Sequence, residues 1–563
     1  MSTLSPAARV RAVDVRRVVG LLALGAIHVT ALGILLFTES DLAPQAAFIL
    51  TWVFVNCCWL VLLGRPLTAG ALSLALAITL IALSQFKHSV LMMTVTFVDV
   101  MLVNVSTLSF LMHATPGLAV KLAIALVIAV ALLTLLWRLE PFRVRRIRAA
   151  AAGACSLALV AGLSLAFPLD REDEFLEHQY VSKFARSAVI AAAELATHGV
   201  LEADAFVSTR LNIATPLACP PARKLPNIIM VFDESSFDAS MLPNVALPAG
   251  YRDRFRSADG RIRSLVVEGA GGPSWFTEYN VLAGLSVRSY GQFADSVTRL
   301  AAGRVKRGLP FALRNCGYST YSLYSWFGAF AGARGFHTST GIEHFLDAKQ
   351  LRTGPADTDS FYYDKALRIL AEQRDGRPAF VFVYLALNHF PWNFRYRPDL
   401  LTDWNLGNRF EIDEYLRRQE ISAQDFAEFK RNLTRQFPGQ PFLLVRFGDH
   451  QPLFAKHFLE PTLAPSEIAQ RIERHDARYF TTYYAMDGLN FEPVELASAL
   501  DPLDAPHLPV VVLEAAGVPL DAAFAEQKRI LHRCRGLFYF CGNGAEARRF
   551  NRLLIDAGLI EGL

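Results

Sequence analysis

Five long apolar runs crowd the first 167 residues, and they limit what this chain can fold into more than any other feature. They are Val18–Phe37, Ala47–Gly64, Leu67–Ser84, Leu118–Trp137 and Ala149–Phe167. A bilayer core of roughly 30 Å is crossed by about 20 helical residues, so each run is long enough to span. Buried core helices are the alternative, but five such runs within so short a stretch argue for a membrane domain. The first run is not expected to be a cleaved signal: further spans follow it, and no clear small-x-small cleavage site does. It reads as a retained anchor.

The arginines orient the spans. Arg9, Arg11, Arg16 and Arg17 precede the first run, and Arg65 lies between the second and third. Arg138, Arg143, Arg145, Arg146 and Arg148 join the last two, whereas the loop after the first carries Glu39 and Asp41 and no basic residue. Five spans with the N-terminus inside put every arginine cluster on the cytoplasmic side, as the positive-inside bias requires. Everything after residue 168 is then expected outside. The stretch His88–Met112 is also largely apolar, but Asp99 and Asn104 interrupt it. As a sixth span it would turn the arginine-rich loop outward, so it reads as an interfacial or re-entrant segment, with Lys87 and Asp99 facing protein or headgroups.

At 563 residues the chain has room for two or three domains. Charged residues are scarce before about residue 140 and common after about residue 168. A net charge of +4 is small for this length. With no basic stripe bearing interleaved aromatics, nucleic acid is excluded as a partner. Cys57, Cys58 and Cys155 lie in the apolar runs as small packers. The outer part holds Cys219, Cys316, Cys534 and Cys541, an even number suited to an oxidising compartment. Cys534 and Cys541 are close enough in sequence to pair, which would leave Cys219 with Cys316, one of three connectivities.

Asp170–Thr209 reads as a helical connector lying along the membrane surface or the next domain, and the prolines of Pro216–Pro226 mark a boundary. The expected division is a transmembrane domain over 1–168, a connector over 169–225 and an α/β domain over 226–563. In the last, Ile228–Phe232, Phe380–Leu385 and Phe442–Phe447 read as strands, separated by helical stretches such as Tyr362–Glu372 and Ile421–Arg435. Ligands of open α/β sheets gather beyond the carboxyl ends of the strands. All three strands end in side chains suited to chemistry: Asp233-Glu234, Asn388-His389 and Asp449-His450.

Glu234, Asp449 and His450 are the oxygen and imidazole donors that bind zinc or manganese. An Asp-His pair is common in ordinary surface loops. Here it leaves an apolar strand through Gly448, whose freedom permits a tight exit. A nucleophile is also present. Gly269-Ala270-Gly271-Gly272-Pro273-Ser274 is a glycine-rich loop opening a helix, with Pro273 near its first turn. A hydroxyl at 274 meets the positive end of the helix, which favours an alkoxide and an incoming phosphate. A metal on the same oxygen lowers its pKa further. The plainer role of Ser274 is a helix cap, and one residue can serve both. Thr277 is the rival hydroxyl, one turn deeper.

These residues resemble the lipoteichoic-acid synthase and phosphoglycerol/phosphoethanolamine transferase branch of the sulfatase-like, alkaline-phosphatase superfamily. The likeness covers both halves and rests on motifs in the same chain order. Pro226-Asn227-Ile228-Ile229-Met230-Val231-Phe232-Asp233-Glu234-Ser235 looks like the opening strand whose glutamate binds metal. Ser274, four residues before Glu278, sits where the family has its nucleophilic threonine. Asn388-His389-Phe390-Pro391-Trp392 is similar to the segment whose histidine contacts the phosphate headgroup, and Phe447-Gly448-Asp449-His450 to the metal-binding turn. Trp326 and Arg334 occupy the interval of the headgroup-holding pair, at wider spacing than the family's.

The resemblance implies a five-helix membrane bundle followed by an α/β sulfatase-like catalytic domain in a bacterial inner membrane, facing the periplasm or exterior. It implies Ser274 as catalytic nucleophile, Glu234, Ser274, Asp449 and His450 around zinc or manganese, and His389, Arg334 and Trp326 on the substrate. The implied reaction moves phosphoglycerol from a membrane phospholipid donor, phosphatidylglycerol, to a glycan acceptor. Phosphoethanolamine transfer by the same machinery remains open. So does phosphodiester hydrolysis, because superfamily phosphatases use serine. A degenerate, non-enzymatic homologue is opposed by candidates at all four motif positions. Sulfatases convert a cysteine to their active aldehyde, and residue 274 is not cysteine.

Overall fold

In a computed structural model the chain is described over residues 15–91, 93–103, 112, 117–167, 169, 177–213, 218–221, 225–354, 356–373, 376–494 and 500–562. It forms two compact units, Met1–Ala193 and Glu194–Leu563.

Among the described residues the first unit contains five helices long and apolar enough to cross a membrane. They are Val15–Thr38, Leu42–Leu63, Pro66–Leu91, Leu118–Leu139 and Arg146–Ala166, matching the five apolar runs of the sequence. Small residues bring two of them close, as expected where lipid supplies no hydrophobic drive between helices. A Cβ at Gly153 would lie 3.0 Å from the Cβ of Cys57, and Ser156 Oγ donates to Leu50 O across the same contact at 2.6 Å. Cys57 is therefore a buried packer, while Cys58 and Cys155 are exposed on the helix surfaces. None of the residues of Leu118–Leu139 is buried, so its apolar side chains are left for lipid.

Within the ambiguous stretch after His88, Phe97–Leu102 is a six-residue helix. That is far short of the about 20 residues a span requires. Its Asp99 Oδ2 accepts from Lys87 Nζ at 2.7 Å, so the two charges answer each other. Asn104 lies outside the described residues, as do Asp170–Glu174 of the connector and Pro216. Among its described residues the connector is α-helical over Tyr180–Thr197. Thr197 Oγ1 and the backbone N–H groups of His198 and Gly199 all turn back onto Glu194 O, which ends the helix short of Thr209.

The second unit is built on one eight-stranded sheet. In chain order its strands are β1 Asn227–Asp233, β2 Arg263–Val266, β3 Ser319–Leu323, β4 His344–Leu346, β5 Ala379–Tyr384, β6 Phe442–Gly448, β7 Thr481–Leu489 and β8 Leu503–Asp504. Their spatial order is β4-β3-β5-β1-β6-β7-β2-β8, with β1 parallel to both β5 and β6 and β7 antiparallel to β6. The three strands expected from sequence are thus neighbours at the centre. Burial on both faces makes such parallel strands continuous apolar runs, which is why they were legible. Ile229 and Val231 of β1 pack with Tyr363 of Asp359–Glu372 and Phe429 of Phe410–Gln436 in one core cluster. Disulfides join Cys219 to Cys316 and Cys534 to Cys541.

Candidate active site

Register brings the chemistry together. Phe232 of β1 pairs with Phe447 of β6, and Asp233 with Gly448, so Glu234 and Asp449 leave neighbouring parallel strands at one level. Gly448 is required by close approach: a Cβ there would stand 1.8 Å from Ser236 O. The chain after β1 can therefore cross directly over the end of β6. Ser235 makes the turn with φ 51, and its N–H donates to Asp449 Oδ1 at 2.7 Å. The His450 N–H donates to the same oxygen at 2.8 Å.

Asp449 Oδ1 is thus fully engaged, while the buried Oδ2 has no hydrogen-bond partner. His450 Nδ1 lies 2.9 Å from Gln451 O, a contact that fixes the ring's orientation and turns Nε2 toward the two carboxylates. That Nε2 is 3.3 Å from Asp449 Oδ2 and 3.4 Å from Glu234 Oε1. Ser274 opens the helix Ser274–Ala283, and its Oγ lies 3.0 Å from Glu234 Oε2 and 3.2 Å from His450 Nε2. The glycine loop before it rests on the other half of the site, with Gly271 against Leu453 just beyond His450.

Ligand atoms of Glu234, Asp449 and His450 lie within 4.8 Å of one another, and all three residues are buried. Such a cluster needs positive charge. Burial, reinforced by the Glu234 charge, pushes the Asp449 carboxyl up to about 8. Burial alone would depress His450, but the charges of Asp449 and Glu234 outweigh it and raise the imidazole to about 9. Burial would also raise Glu234, yet the hydrogen bond and charge of His450 hold it down at about 2. Two carboxylates, an imidazole and a hydroxyl form the donor set of a borderline divalent cation. Asp449 Oδ2, buried without a hydrogen bond and with His450 Nε2 at 3.3 Å beside it, suits a metal ligand.

The other predicted residues divide. His389 Nδ1 lies 2.7 Å from Phe390 O, and its ring stacks on Phe390. Trp326 meets that ring edge-on with centroids 5.1 Å apart, so these two candidates are joined. Arg334 is engaged elsewhere: it donates to Asp347 Oδ2 at 2.8 Å, Gln350 Oε1 at 2.7 Å and Phe345 O at 3.0 Å. The hydroxyl of Thr277 donates to Asp449 O at 2.6 Å. Glu278 turns away from the cluster to His337 Nε2 at 2.5 Å.

Sequence reasoning missed Tyr384. Its hydroxyl donates to Glu234 Oε2 at 3.0 Å, the same oxygen that accepts from Ser274. Its only signal was its place as the last residue of β5, level with Phe232.

No family model and no curated protein matches the chain. Among solved structures it is similar to the lipoteichoic acid synthase LtaP of Listeria monocytogenes, at 17% identity over 53% of this chain and 73% of that one, with a TM-score of 0.40. It is similar to the phosphoglycerol transferase GacH of Streptococcus pyogenes, solved in complex with sn-glycerol-1-phosphate, at 14% identity over 61% and 88% with a TM-score of 0.45. A third is the integral membrane lipooligosaccharide phosphoethanolamine transferase A of Neisseria meningitidis, at 12% identity over 84% and 95% with a TM-score of 0.46.

Proposed function

We propose that this chain is a membrane-anchored, metal-dependent phosphotransferase of the sulfatase-like superfamily. Its donor is phosphatidylglycerol and its acceptor a hydroxyl of a periplasmic or surface glycan. One observation carries this: a helix-opening serine hydroxyl lies 3.0 Å from a carboxylate and 3.2 Å from an imidazole of a buried cation-binding cluster. A structural cap has no need of that company.

Glu234, Asp449, His450 and Ser274 would hold zinc or manganese. Such a cation, when bound, lowers the pKa of the serine hydroxyl and offsets negative charge developing on the phosphoryl oxygens. Ser274 Oγ attacks phosphorus, the bond from phosphorus to the diacylglycerol oxygen breaks, and diacylglycerol leaves carrying a proton. The headgroup is then a phosphodiester of Ser274. An acceptor hydroxyl attacks the same phosphorus, and Ser274 departs as its alcohol with the acceptor's proton. The positive end of the helix favours the phosphate in both halves. His389 and Trp326 meet the headgroup from the same side. Arg334 takes the non-bridging oxygens by exchanging Asp347 and Gln350 for phosphate. Residues 1–168 anchor the enzyme in a bacterial inner membrane, and 226–563 form the catalytic domain outside, the arrangement that the arginine-bearing loops favour.

The test is to incubate the full-length protein with headgroup-labelled phosphatidylglycerol and no acceptor. Label is expected on the Ser274 peptide, with release of diacylglycerol. Label on Thr277 would displace the nucleophile, and label from phosphatidylethanolamine alone would replace the donor. Full metal occupancy with no label from either lipid would overturn headgroup transfer.

A further inference from the structure

The unit Met1–Ala193 contains a cavity of about 550 Å³ that the transfer chemistry does not use. Phe48 and Val55 of Leu42–Leu63 mark its extent on one wall, Ser73 and Leu83 of Pro66–Leu91 on another, and Phe184 and Ala188 of Tyr180–Thr197 line a third. Among its large aromatic and aliphatic lining, Ala77 and Ala188 carry only a Cβ, so a larger side chain at either would enter the space.

The walls offer water almost nothing. The hydroxyls of Thr51, Ser73 and Thr79, which line it, each donate to a carbonyl of their own helix, Ala47 O at 2.7 Å, Ala69 O at 3.0 Å and Ala75 O at 2.7 Å. A buried water needs two to four polar partners, and an unfilled void forfeits dispersion contacts along its whole lining. The occupant must be apolar.

Its dimensions identify it. From Leu83 to Ser73 the cavity follows ten residues of helix, about 15 Å at 1.5 Å per residue. That is half of a roughly 30 Å hydrocarbon core, the depth of one leaflet. Its two ends also differ in character. One turn beyond Leu83, Lys87 Nζ donates to Asp99 Oδ2 at 2.7 Å and to Thr94 O at 2.9 Å. The other end, at Val55 and Ser73, lies past the middle of both helices. Polar at the interface and apolar to mid-membrane is the profile of a lipid.

We infer that this cavity seats one acyl chain of a bilayer glycerophospholipid whose head lies at the level of Lys87 and Asp99. The site shares no residue with the metal cluster and does not rest on headgroup transfer.

The full chain, purified in detergent, should retain one phospholipid in native mass spectra after delipidation. Ala77→Phe and Ala188→Phe fill the cavity and should each lower the retained fraction about tenfold. In vesicles, a phospholipid with a mid-chain diazirine should label the segments 48–55 and 73–83 well above Leu118–Leu139, whose wholly unburied surface reports ordinary surrounding lipid. This second measurement uses the unaltered protein, so it decides the matter even if a variant fails to fold. Undiminished retention in both variants, or labelling of Leu118–Leu139 equal to that of the cavity segments, would overturn the inference.

Discussion

The two halves of the candidate site are built differently. Glu234, Ser274, Asp449 and His450 are buried, and most of their polar atoms are fixed by backbone amides, neighbouring hydroxyls or one another. On the proposed substrate side Arg334 is 44% exposed and bound to Asp347, while Trp326 and His389 are only partly buried. The first half resembles machinery set before substrate arrives, which is where electrostatic stabilisation is most effective. In the second half Arg334 would have to exchange Asp347 and Gln350 for substrate under the proposed reading. The comparison predicts that damage to the first removes chemistry and damage to the second removes affinity.

The largest effects should come from the buried half. Glu234→Ala, Asp449→Ala and His450→Ala should each lose bound metal by elemental analysis and lower activity by roughly a thousandfold, with the membrane helices still inserted. Loss of one ligand leaves the remaining buried groups without compensation, so no single variant should keep a full site. Stoichiometric metal in all three would dissolve the distinction between the halves.

Ser274→Ala should match that loss of turnover while leaving donor binding largely intact, since His389 and Arg334 are untouched. Ser274→Thr should retain part of the activity, because it keeps the hydroxyl and adds one methyl group. Turnover by Ser274→Ala near that of the unaltered chain would remove the nucleophile from the buried half.

How much of this was legible in the sequence follows the same division. Five spans could be read from length and apolarity alone. Strands β1, β5 and β6 could be read because burial on both faces leaves no polar positions. Strand β3, Ser-Thr-Tyr-Ser-Leu, is buried but largely polar, and β8 has only two residues, so neither carried a signal. Glu234, Asp449 and His450 each follow a legible strand and Ser274 opens a legible helix, so local pattern sufficed to nominate them. The link from Arg334 to Asp347 and Gln350 spans a turn, a helix and a strand, and nothing local announces it. Glu278 teaches the opposite lesson: its spacing from Ser274 was plain, yet its side chain goes to a buried histidine.

The substrate half should respond in KM. An ionic hydrogen-bonding partner contributes about 1.5–3 kcal/mol, so Arg334→Ala should raise KM for the lipid donor roughly tenfold to a hundredfold, with kcat and metal content little changed. Asp347→Asn should loosen the present hold on Arg334 and lower KM. If Arg334→Ala instead lowers thermal stability and leaves KM alone, Arg334 belongs to the scaffold.

The smallest effect expected is at Tyr384, and it tests whether the buried half extends beyond its ligands. Burial pushes this phenol well above its ordinary range, and the nearby Glu234 charge adds to the rise, so it stays protonated and can only donate to Glu234. Glu234 Oε2 is shared between Tyr384 and Ser274 at 3.0 Å each. Tyr384→Phe keeps the ring and its stacking on Phe232, with centroids 4.3 Å apart, and removes only the donor. Glu234 then keeps Ser235 Oγ and Ser274 Oγ, at 3.0 Å each, but loses one hold on Oε2, and the alignment of Ser274 loosens. Groups that orient a metal ligand typically alter metal affinity by about tenfold or more, and one hydrogen bond is worth about 1 kcal/mol. Tyr384→Phe should therefore weaken metal binding about tenfold and lower kcat severalfold at saturating metal, with KM for the donor unchanged. That pattern is the inverse of the one expected for Arg334→Ala. A change in KM without a change in metal affinity would move Tyr384 into the substrate half, and no change in either would confine the buried half to the four residues around the cation.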